Sequence, residues 1–561
     1  MIKSTQNIET HLIDMQDYLL PENGGRNFSI PKIHAQIPTK VGFDIFDYEM
    51  LFNDEKTQTL IRTGNTIGCF YIESPGMRSL LKRLDCYTFE MLTAASSVIR
   101  PGVAESGMMK EFIDRHKNPH LRKYLLPEME EYLGETYGVM IYQEDVIKVA
   151  HHIAGLTLEE ADLLRRAMSG KMRSHKAMEN LSNKYFLSCR EKGYSEKIAL
   201  ELWRQIESFA GYAFNKAHSA SFALVSFQVA YLKSHYPAEF MASVLSNRGG
   251  YYSAAVYIQE SKRMGLQILL PDVNQSKYEY FGDKNFIRIG FMAIKKFSHN
   301  SMETIANERK ENGRYVSLPD FLIRTRLAYE ETALLIKCGA MDCFEETRPT
   351  LMRLLDIYLS HRKLLDENVL DLFEFESYKL ENEIKTDREY SVPEICKIEY
   401  ETFGYMVTRH PLEFFNGILE RKDIVRSIEM NNYNSRTIKM VGWFMASKRI
   451  KTKKGEIMKF LSLEDLTGTF EAVIFPRTYK IFAEKTLSMG PYLLEGKVDI
   501  ENGHNLIVSK LAVLSAKSLK AVTQWDSVEN NYFGDVEKVD EEEFAIVNSL
   551  GKENLRYAYA G

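Results

Sequence analysis

The chain has 561 residues, of which 45% are hydrophobic and 27% charged, so it is an ordinary globular sequence long enough for several domains. Its net charge of −5 excludes a uniformly basic nucleic-acid-binding protein, although a large protein can confine its basic groups to one channel. The N-terminus has no signal-peptide hydrophobic region, and no apolar run approaches the roughly 20 residues that span a bilayer.

The six cysteines are scattered and form neither a CxxC pair nor a cluster with histidine. This spacing predicts reduced thiols in a cytoplasmic protein, without a zinc site. The cysteines are Cys69, Cys86, Cys189, Cys338, Cys343 and Cys396.

A helix is predicted to begin at a capping box formed by Thr157 and Glu160, before an apolar stripe that starts at Leu158. Cations near the end of such a helix complement its dipole, which explains their position without any binding function. These cations are Arg165, Arg166 and Lys171.

The segment from Phe209 to Phe240 places Asn215, Lys216 and His218 directly ahead of an apolar helix that Pro237 ends. A helix N-terminus with cationic side chains is well suited to hold an anion. The alternative is a buried helix with a solvated polar entry.

Five short strands are predicted between residues 436 and 513, separated by turn signals such as ENG at Glu501–Gly503. Five strands in this order are typical of an OB barrel, which binds single strands through its loops and one sheet face. The cations clustered at its first loop are Lys448, Arg449, Lys451, Lys453 and Lys454.

Three blocks carry a family resemblance: Phe209–Phe240, TIGCFYIESPGMRSLLKRL at Thr66–Leu84, and ASSVIRPGVAESGMMKEFIDRHK at Ala95–Lys117. The first resembles the fingers segment FAGYxFNKxHxxxxALxSxQxAYLKxxYPxEF of the bacterial DNA polymerase III alpha subunits, the C-family replicative polymerases. The resemblance covers roughly residues 50 to 515.

The resemblance implies a multidomain, mostly α-helical protein followed by a small β OB-fold barrel. The expected divisions are an unassigned N-terminal segment 1–48, a fingers-like domain 49–284, a helix-hairpin-helix-like region 285–350, a clamp-binding region 351–430, the OB-fold 431–515 and a C-terminal tail 516–561.

The resemblance also implies that seven polar and basic residues, named at the end of this paragraph, contact phosphates of the nucleotide or of DNA. For Arg100, which lies in a predicted loop, the alternative is an ion pair with a carboxylate. Lys296 and Ser298 stand where the family has the glycines of a DNA-binding turn, so we expect only a loose contact of Lys295 and Lys296 with duplex DNA. The phosphate-binding candidates are Arg100, Arg165, Arg166, Lys171, Asn215, Lys216 and His218.

The sequence VLDLF resembles the QL[SD]LF peptide with which such polymerases bind the sliding clamp, with valine in place of glutamine. Leu370, Leu372 and Phe373 would be its anchors, and the alternative is an ordinary amphipathic helix turn. The peptide comprises Val369, Leu370, Asp371, Leu372 and Phe373.

The aspartates that hold Mg²⁺ in this family, in a PDxDxDF-type motif, are absent from the sequence. Asp14 and Asp44 are the nearest candidates, and neither has the motif around it. We therefore expect a DNA-directed DNA polymerase by family, using deoxynucleoside triphosphates and Mg²⁺, whose catalytic residues are not identified in this chain, so that alone it would be inactive.

Three hypotheses follow: a polymerase whose palm lies on a separate chain, a non-catalytic DNA- and clamp-binding factor, or an autonomous enzyme that uses Asp14 or Asp44. The expected partners are primer-template DNA, the sliding clamp, a palm-bearing chain and other replisome subunits. No association with a membrane is expected.

Overall fold

The computed structural model describes residues 44–99, 107–167, 175–210, 215–360, 386, 388–452, 454–501 and 503–514. They divide into two compact units, one within Gly42–His235 with Glu501–Gly503, and the other within Tyr236–Ile500 and from His504 onward. In the part of the chain that the structure describes, every helix is too short or too polar to cross a membrane.

The first unit is built from helices around α11, Lys216–His235. This helix is buried continuously from Val225 to Lys233, as expected for a helix that is apolar on nearly all sides. The ammonium group of Lys233 is buried with it and donates hydrogen bonds to the carbonyls of Asn65 and Ile67, both at 2.8 Å. The other helices of the unit are α1 Tyr48–Asn53, α2 Glu55–Arg62, α3 Pro75–Arg83, α4 Phe89–Val98, α5 Met108–Lys117, α6 Met129–Leu133, α7 Gln143–Lys148, α8 Leu158–Arg166, α9 His175–Glu191 and α10 Glu196–Ala210.

Local sequence signals account for several boundaries in this unit. The predicted capping box is present at the start of α8, where the Thr157 hydroxyl accepts from the N–H of Glu160 and the Glu160 carboxylate accepts from the N–H of Thr157. Helix α11 ends at His235, two residues before Pro237, the residue predicted to stop it. The chain also forms a π-helical turn, Val149–Ile153, directly after α7.

The second unit begins with helices that pack beside a small sheet. In that sheet the strand order is β1-β3-β2, with β1 parallel to β3 and β2 antiparallel to it. Gly339 follows a helix end with φ of +84°, the left-handed conformation predicted for this C-terminal position. The elements are α12 Pro237–Asn247, α13 Ala254–Arg263, β1 Gln267–Leu269, β2 Phe281–Asp283, β3 Phe286–Arg288, α14 His299–Asn312, α15 Leu318–Thr325, α16 Tyr329–Lys337, α17 Arg348–Ser360, α18 Val392–Phe403 and α19 Asn416–Leu419.

Five strands then close into a barrel in the order β4-β5-β6-β8-β7, in which only the β6–β8 pair is parallel. Apolar residues alternate along each strand, so their side chains point into the barrel and fill its interior. Examples are Met440, Leu461 and Leu494. The predicted OB-type barrel is therefore confirmed. Its elements are β4 Thr437–Lys451, β5 Ile457–Glu464, β6 Thr469–Ile474, α20 Pro476–Phe482, β7 Tyr492–Asp499 and β8 Asn505–Val513.

The fold class predicted from the sequence, mostly helical with a small C-terminal barrel, is correct. All six cysteines are free in the structure. The domain boundaries stay a prediction, and the N-terminal segment up to 43 and the tail from 515 lie outside the described residues.

Candidate nucleic-acid interface

The start of α11 brings three of the predicted phosphate-binding residues together. Asn215 caps the helix, because its side-chain oxygen accepts from the N–H of His218 at 2.9 Å. Its amide nitrogen donates to Glu144 at 2.7 Å, and the backbone N–H of Lys216 donates to the same carboxylate at 2.9 Å. A carboxylate thus already occupies the position at this helix N-terminus that favours an anion.

The side chain of Lys216 is held in the same way. Its ammonium donates to Glu135 at 2.6 Å and lies 5.3 Å from the centre of the Tyr142 ring. Both members of the Lys216–Glu135 pair are partly exposed, at 38% and 48% of their side-chain surface. Exchange of one anion for another at Lys216 therefore requires no rearrangement of buried groups.

The last turn of α8 carries the two predicted arginines. Arg165 is largely buried and donates to Asp162 at 2.9 Å and to the Gln143 side chain at 3.1 Å. Arg166 is 60% exposed and forms an ion pair with the other oxygen of Asp162 at 2.6 Å. The ion pairs of Arg165 and Arg166 with Asp162 fit the interpretation that these cations complement the dipole of their own helix. The side chain of Arg166 nevertheless remains accessible at the surface.

Helix α7 connects these groups, because Gln143 contacts Arg165 while the adjacent Glu144 contacts Asn215 and Lys216. The structure thus gathers Arg165, Asn215 and Lys216 around the first turn of one short helix. Arg100 and Lys171 lie outside the described residues.

Sequence reasoning missed the carboxylates that hold this cluster, Glu135, Glu144 and Asp162. The spacing of Asp162 from Arg166 could have been found, because residues four apart face each other on a helix. Glu135 and Glu144 are 81 and 72 residues from Lys216 in the sequence, so only the tertiary fold pairs them with it.

Asp145 forms hydrogen bonds with the backbone that leads into the first turn of α7. One of its oxygens accepts from the backbone N–H groups of Ile141 and Tyr142, at 3.0 and 2.9 Å. Burial raises the pKa of this carboxyl group to about 7, although the two hydrogen bonds act in the opposite direction.

Asp44, one of two candidate metal ligands, is exposed and accepts a hydrogen bond from the N–H of Phe46 at 2.9 Å, so it caps a local turn. Asp14 lies outside the described residues. Within the described ranges, no three or more histidine, cysteine, aspartate or glutamate side chains form a group that could hold a metal ion.

In the helix-hairpin-helix-like region, Lys295 and Lys296 are exposed in the loop before α14. Lys296 has φ of +62°, so the turn has the left-handed backbone that glycine adopts more easily. The N–H of Lys295 donates to the carbonyl of Thr402, which fixes the loop against the end of α18.

The barrel cations lie on the β4–β5 hairpin. Lys448 and Arg449 stand opposite Phe460 and Lys459, and Lys451 and Lys454 follow toward the turn, all four cations being exposed. Phe444, an aromatic residue of β4, packs in the barrel core. Lys453 and the clamp-type peptide 369–373 lie outside the described residues.

Comparison with known protein families gives two matches. Residues 29–193 match the model of the bacterial DNA polymerase III alpha subunit finger domain, and residues 265–351 match a helix-hairpin-helix motif. The first match includes α7 and α8, and the second includes Lys295 and Lys296.

Three curated relatives are similar over most of the chain. The DNA polymerase III subunits alpha of Bacillus subtilis (strain 168), Staphylococcus epidermidis (strain ATCC 12228) and Staphylococcus aureus (strain COL) are 32%, 33% and 32% identical to it. Each similarity covers 88% of this chain but only 44%, 46% and 46% of the respective relative. The chain therefore spans less than half the length of the curated relatives it matches.

Proposed function

We propose that this chain, which belongs to the DNA polymerase III alpha-subunit type of bacterial proteins, contributes nucleotide- and DNA-binding contacts to template-directed DNA synthesis. The observation that carries the proposal is the gathering of Arg165, Asn215 and Lys216 around the first turn of α7.

The geometry supports phosphate binding for a simple electrostatic reason. Glu144 accepts from a helix N-terminal N–H and from Asn215, and Glu135 accepts from Lys216, so the site already stabilises negative charge. A phosphate of an incoming deoxynucleoside triphosphate, or of the primer-template backbone, would take over these donors. Arg166, with its side chain 60% exposed, would neutralise a neighbouring phosphate.

Nucleotidyl transfer in such enzymes uses two divalent cations held by carboxylate oxygens. The described residues do not fit that role, because no three or more of their carboxylate, histidine or cysteine side chains form a group that could hold a metal ion. The proposal therefore places the Mg²⁺ ligands outside the described residues of this chain and assigns binding and positioning to those residues.

The deciding experiment is primer extension by the purified chain with Mg²⁺ and all four nucleotides, beside a binding assay on the same primed template. We expect binding without extension, and extension once a palm-bearing polypeptide with the missing aspartates is supplied. Absence of binding to the primed template would overturn the proposal.

Extension by the chain alone would show that the carboxylate assignment is wrong. Asp14 and Asp44 would then be exchanged for asparagine to test whether either residue holds the metal.

The second candidate function is a non-catalytic DNA- and clamp-binding factor, favoured by the missing PDxDxDF-type motif. The two candidate functions differ in one measurable outcome. For the non-catalytic factor, the chain would still bind the primed template, but addition of a palm-bearing chain would not lead to primer extension. In both cases the β4–β5 hairpin would bind single-stranded template, and Val369–Phe373 would bind the sliding clamp.

A further inference from the structure

A cavity of about 780 Å³ lies in the second unit, bordered by α12, α13 and the loop that precedes α14. Its volume is within the range of small-molecule sites. Its walls are unusually aromatic, because five of its lining residues are tyrosines and two are phenylalanines. The tyrosines are Tyr252, Tyr257, Tyr278, Tyr280 and Tyr405.

The lysine and arginine side chains of the wall are not matched by carboxylates. Arg248, Lys295 and Lys296 line the cavity together with His299, and none of the described residues that line it carries a carboxylate. The whole chain has 77 acidic residues and 72 lysines and arginines, so a lining whose ionised groups are all cationic departs from the overall composition. Such a lining selects an anionic ligand.

The N-terminus of α13 adds to this potential. Ser253 and Ala254 at its first turn line the cavity, and the Ser253 side chain makes no capping hydrogen bond to the helix. The partial positive charge of the helix end thus lies at the same cavity as the side chains of Arg248, Lys295 and Lys296.

Arg248, another lining residue, is held in place by its backbone and its side chain. It ends α12 in the left-handed conformation, and its guanidinium donates to the carbonyl of Met292. The Tyr280 and Tyr405 hydroxyls are 2.6 Å apart, and burial raises the pKa of Tyr280 to about 12. These phenols therefore stay neutral, and the wall behind Arg248 presents aromatic surface without negative charge.

Tyr278 supplies an accessible ring. It is 45% exposed, and its ring lies 5.2 Å from that of His299. Nucleic-acid-binding proteins use such rings as platforms on which bases stack. Lys296 is exposed in the same wall and, among the described residues, forms no ion pair.

We propose that this cavity binds a nucleotide, with its phosphate at Arg248, Lys296 and the first turn of α13, and its base against Tyr278. The ligand is a nucleoside monophosphate unit, either free or as an unpaired residue of a DNA strand. None of the lining residues belongs to the cluster around Lys216, and the proposal gives Lys296 a role other than loose contact with a duplex.

The test measures binding of dAMP and of a four-residue oligodeoxyadenylate to the full chain by calorimetry, without divalent metal. Lys296→Asn removes the charge and keeps a residue that tolerates the left-handed conformation. Lys284→Asn is the matched control, because Lys284 also has positive φ, +52°, but lies in the β2–β3 turn outside the cavity lining.

We expect Lys296→Asn and Tyr278→Ala each to weaken binding about tenfold, while Tyr278→Phe and Lys284→Asn leave it unchanged. A loss of binding that occurs in Lys296→Asn and Tyr278→Ala but not in Lys284→Asn assigns the signal to this cavity. Binding of both probes indicates a free-nucleotide site, and binding of the oligonucleotide alone indicates a strand site.

The proposal is overturned if neither probe binds. It is equally overturned if Lys284→Asn weakens binding as much as Lys296→Asn does, or if Tyr278→Phe behaves like Tyr278→Ala.

Discussion

At the scale of single residues, Lys216 shows how one side chain can serve the free protein and its proposed ligand. Its pair with Glu135 is half-exposed, and such pairs contribute about 0–1 kcal/mol to stability. A phosphate that carries more charge can therefore displace the glutamate at little cost. The pair is a reversible contact rather than a support of the fold.

Lys216→Ala should weaken binding to primed DNA several-fold and reduce the slope of log affinity against log salt by about one. Glu135→Gln should act in the opposite direction, because it frees the ammonium group. Lys197→Ala, an exposed lysine of α10, is the control. Fluorescence anisotropy over a salt series measures all three variants, and an unchanged affinity of Lys216→Ala would remove this residue from the interface.

Asp145 should make stability depend on pH. Its pKa is raised from 3.8 to about 7 in the folded chain, so between these values the folded state keeps a proton that the unfolded state has lost. The free energy of unfolding should therefore fall as pH rises from about 4 to about 7, by at most about 1.4 kcal/mol per pH unit from this group.

Asp145→Asn should remove that slope, because an amide oxygen can accept from the same two backbone N–H groups and does not titrate. Urea unfolding at several pH values measures the effect. Equal slopes in the two proteins would contradict the assignment.

At the scale of elements, the β4–β5 hairpin places cations on exposed strand positions rather than in a disordered loop. Lys448 lies within the paired part of β4, opposite Phe460, so its position is defined by the ladder. Because side chains alternate along a strand, Lys448 lies on one face of the hairpin and Arg449 and Lys451 on the other, so the hairpin presents positive charge on both faces. Such charge can attract the backbone of a single strand.

Replacing Lys448 and Lys451 together by alanine should weaken binding of single-stranded DNA about tenfold at low salt and leave the melting temperature unchanged. Lys497→Ala on β7 is the control, since it is also an exposed barrel lysine. Equal losses in the control and the double variant would show only a nonspecific effect of net charge.

The clamp-type peptide gives a second prediction at this scale. Leu372→Ala with Phe373→Ala should abolish co-elution of the chain with the sliding clamp, because buried apolar anchors dominate such grooves. Asp371→Ala should have a smaller effect. Retained co-elution of the double variant would show that the clamp binds elsewhere.

At the scale of the whole molecule, the second unit ties helix α13 to the barrel through a buried ionic group. Arg263 bonds to Glu464 at 2.8 Å and to Glu260 at 3.2 Å, and the side chain of Glu464 is only 2% exposed. His410 lies 3.6 Å from the other oxygen of Glu464. Residues from three distant parts of the sequence therefore meet at one carboxylate.

Glu464→Gln should lower the stability of the chain by about 3 kcal/mol, because it leaves the buried Arg263 without its closest counter-charge. Glu484→Gln, an exposed change of the same type, should have almost no effect. Denaturant unfolding followed by circular dichroism measures both. A loss below about 1 kcal/mol would show that Glu260 alone satisfies the arginine.

Much of this architecture follows from local signals in the sequence. Three helix boundaries depend only on residues a few positions apart, so they can be predicted from the local sequence. They are the capping box at Thr157, the helix end before Pro237 and the glycine turn after α16. The alternating strands of the barrel are also readable, because a period of two specifies which face is buried. The blocks that resemble the DNA polymerase III alpha subunits are also local, and the finger-domain match at residues 29–193 includes two of them.

The sequence by itself therefore determined the element types, the barrel and the cations proposed to meet DNA. Only the tertiary structure decided what those cations contact, because Glu135 and Glu144 reach Lys216 across 81 and 72 residues of chain. It also decided that tyrosines and cations spread from Arg248 to Tyr405 surround one cavity. Such pairings depend on how helices pack in three dimensions, and no local period or spacing encodes them.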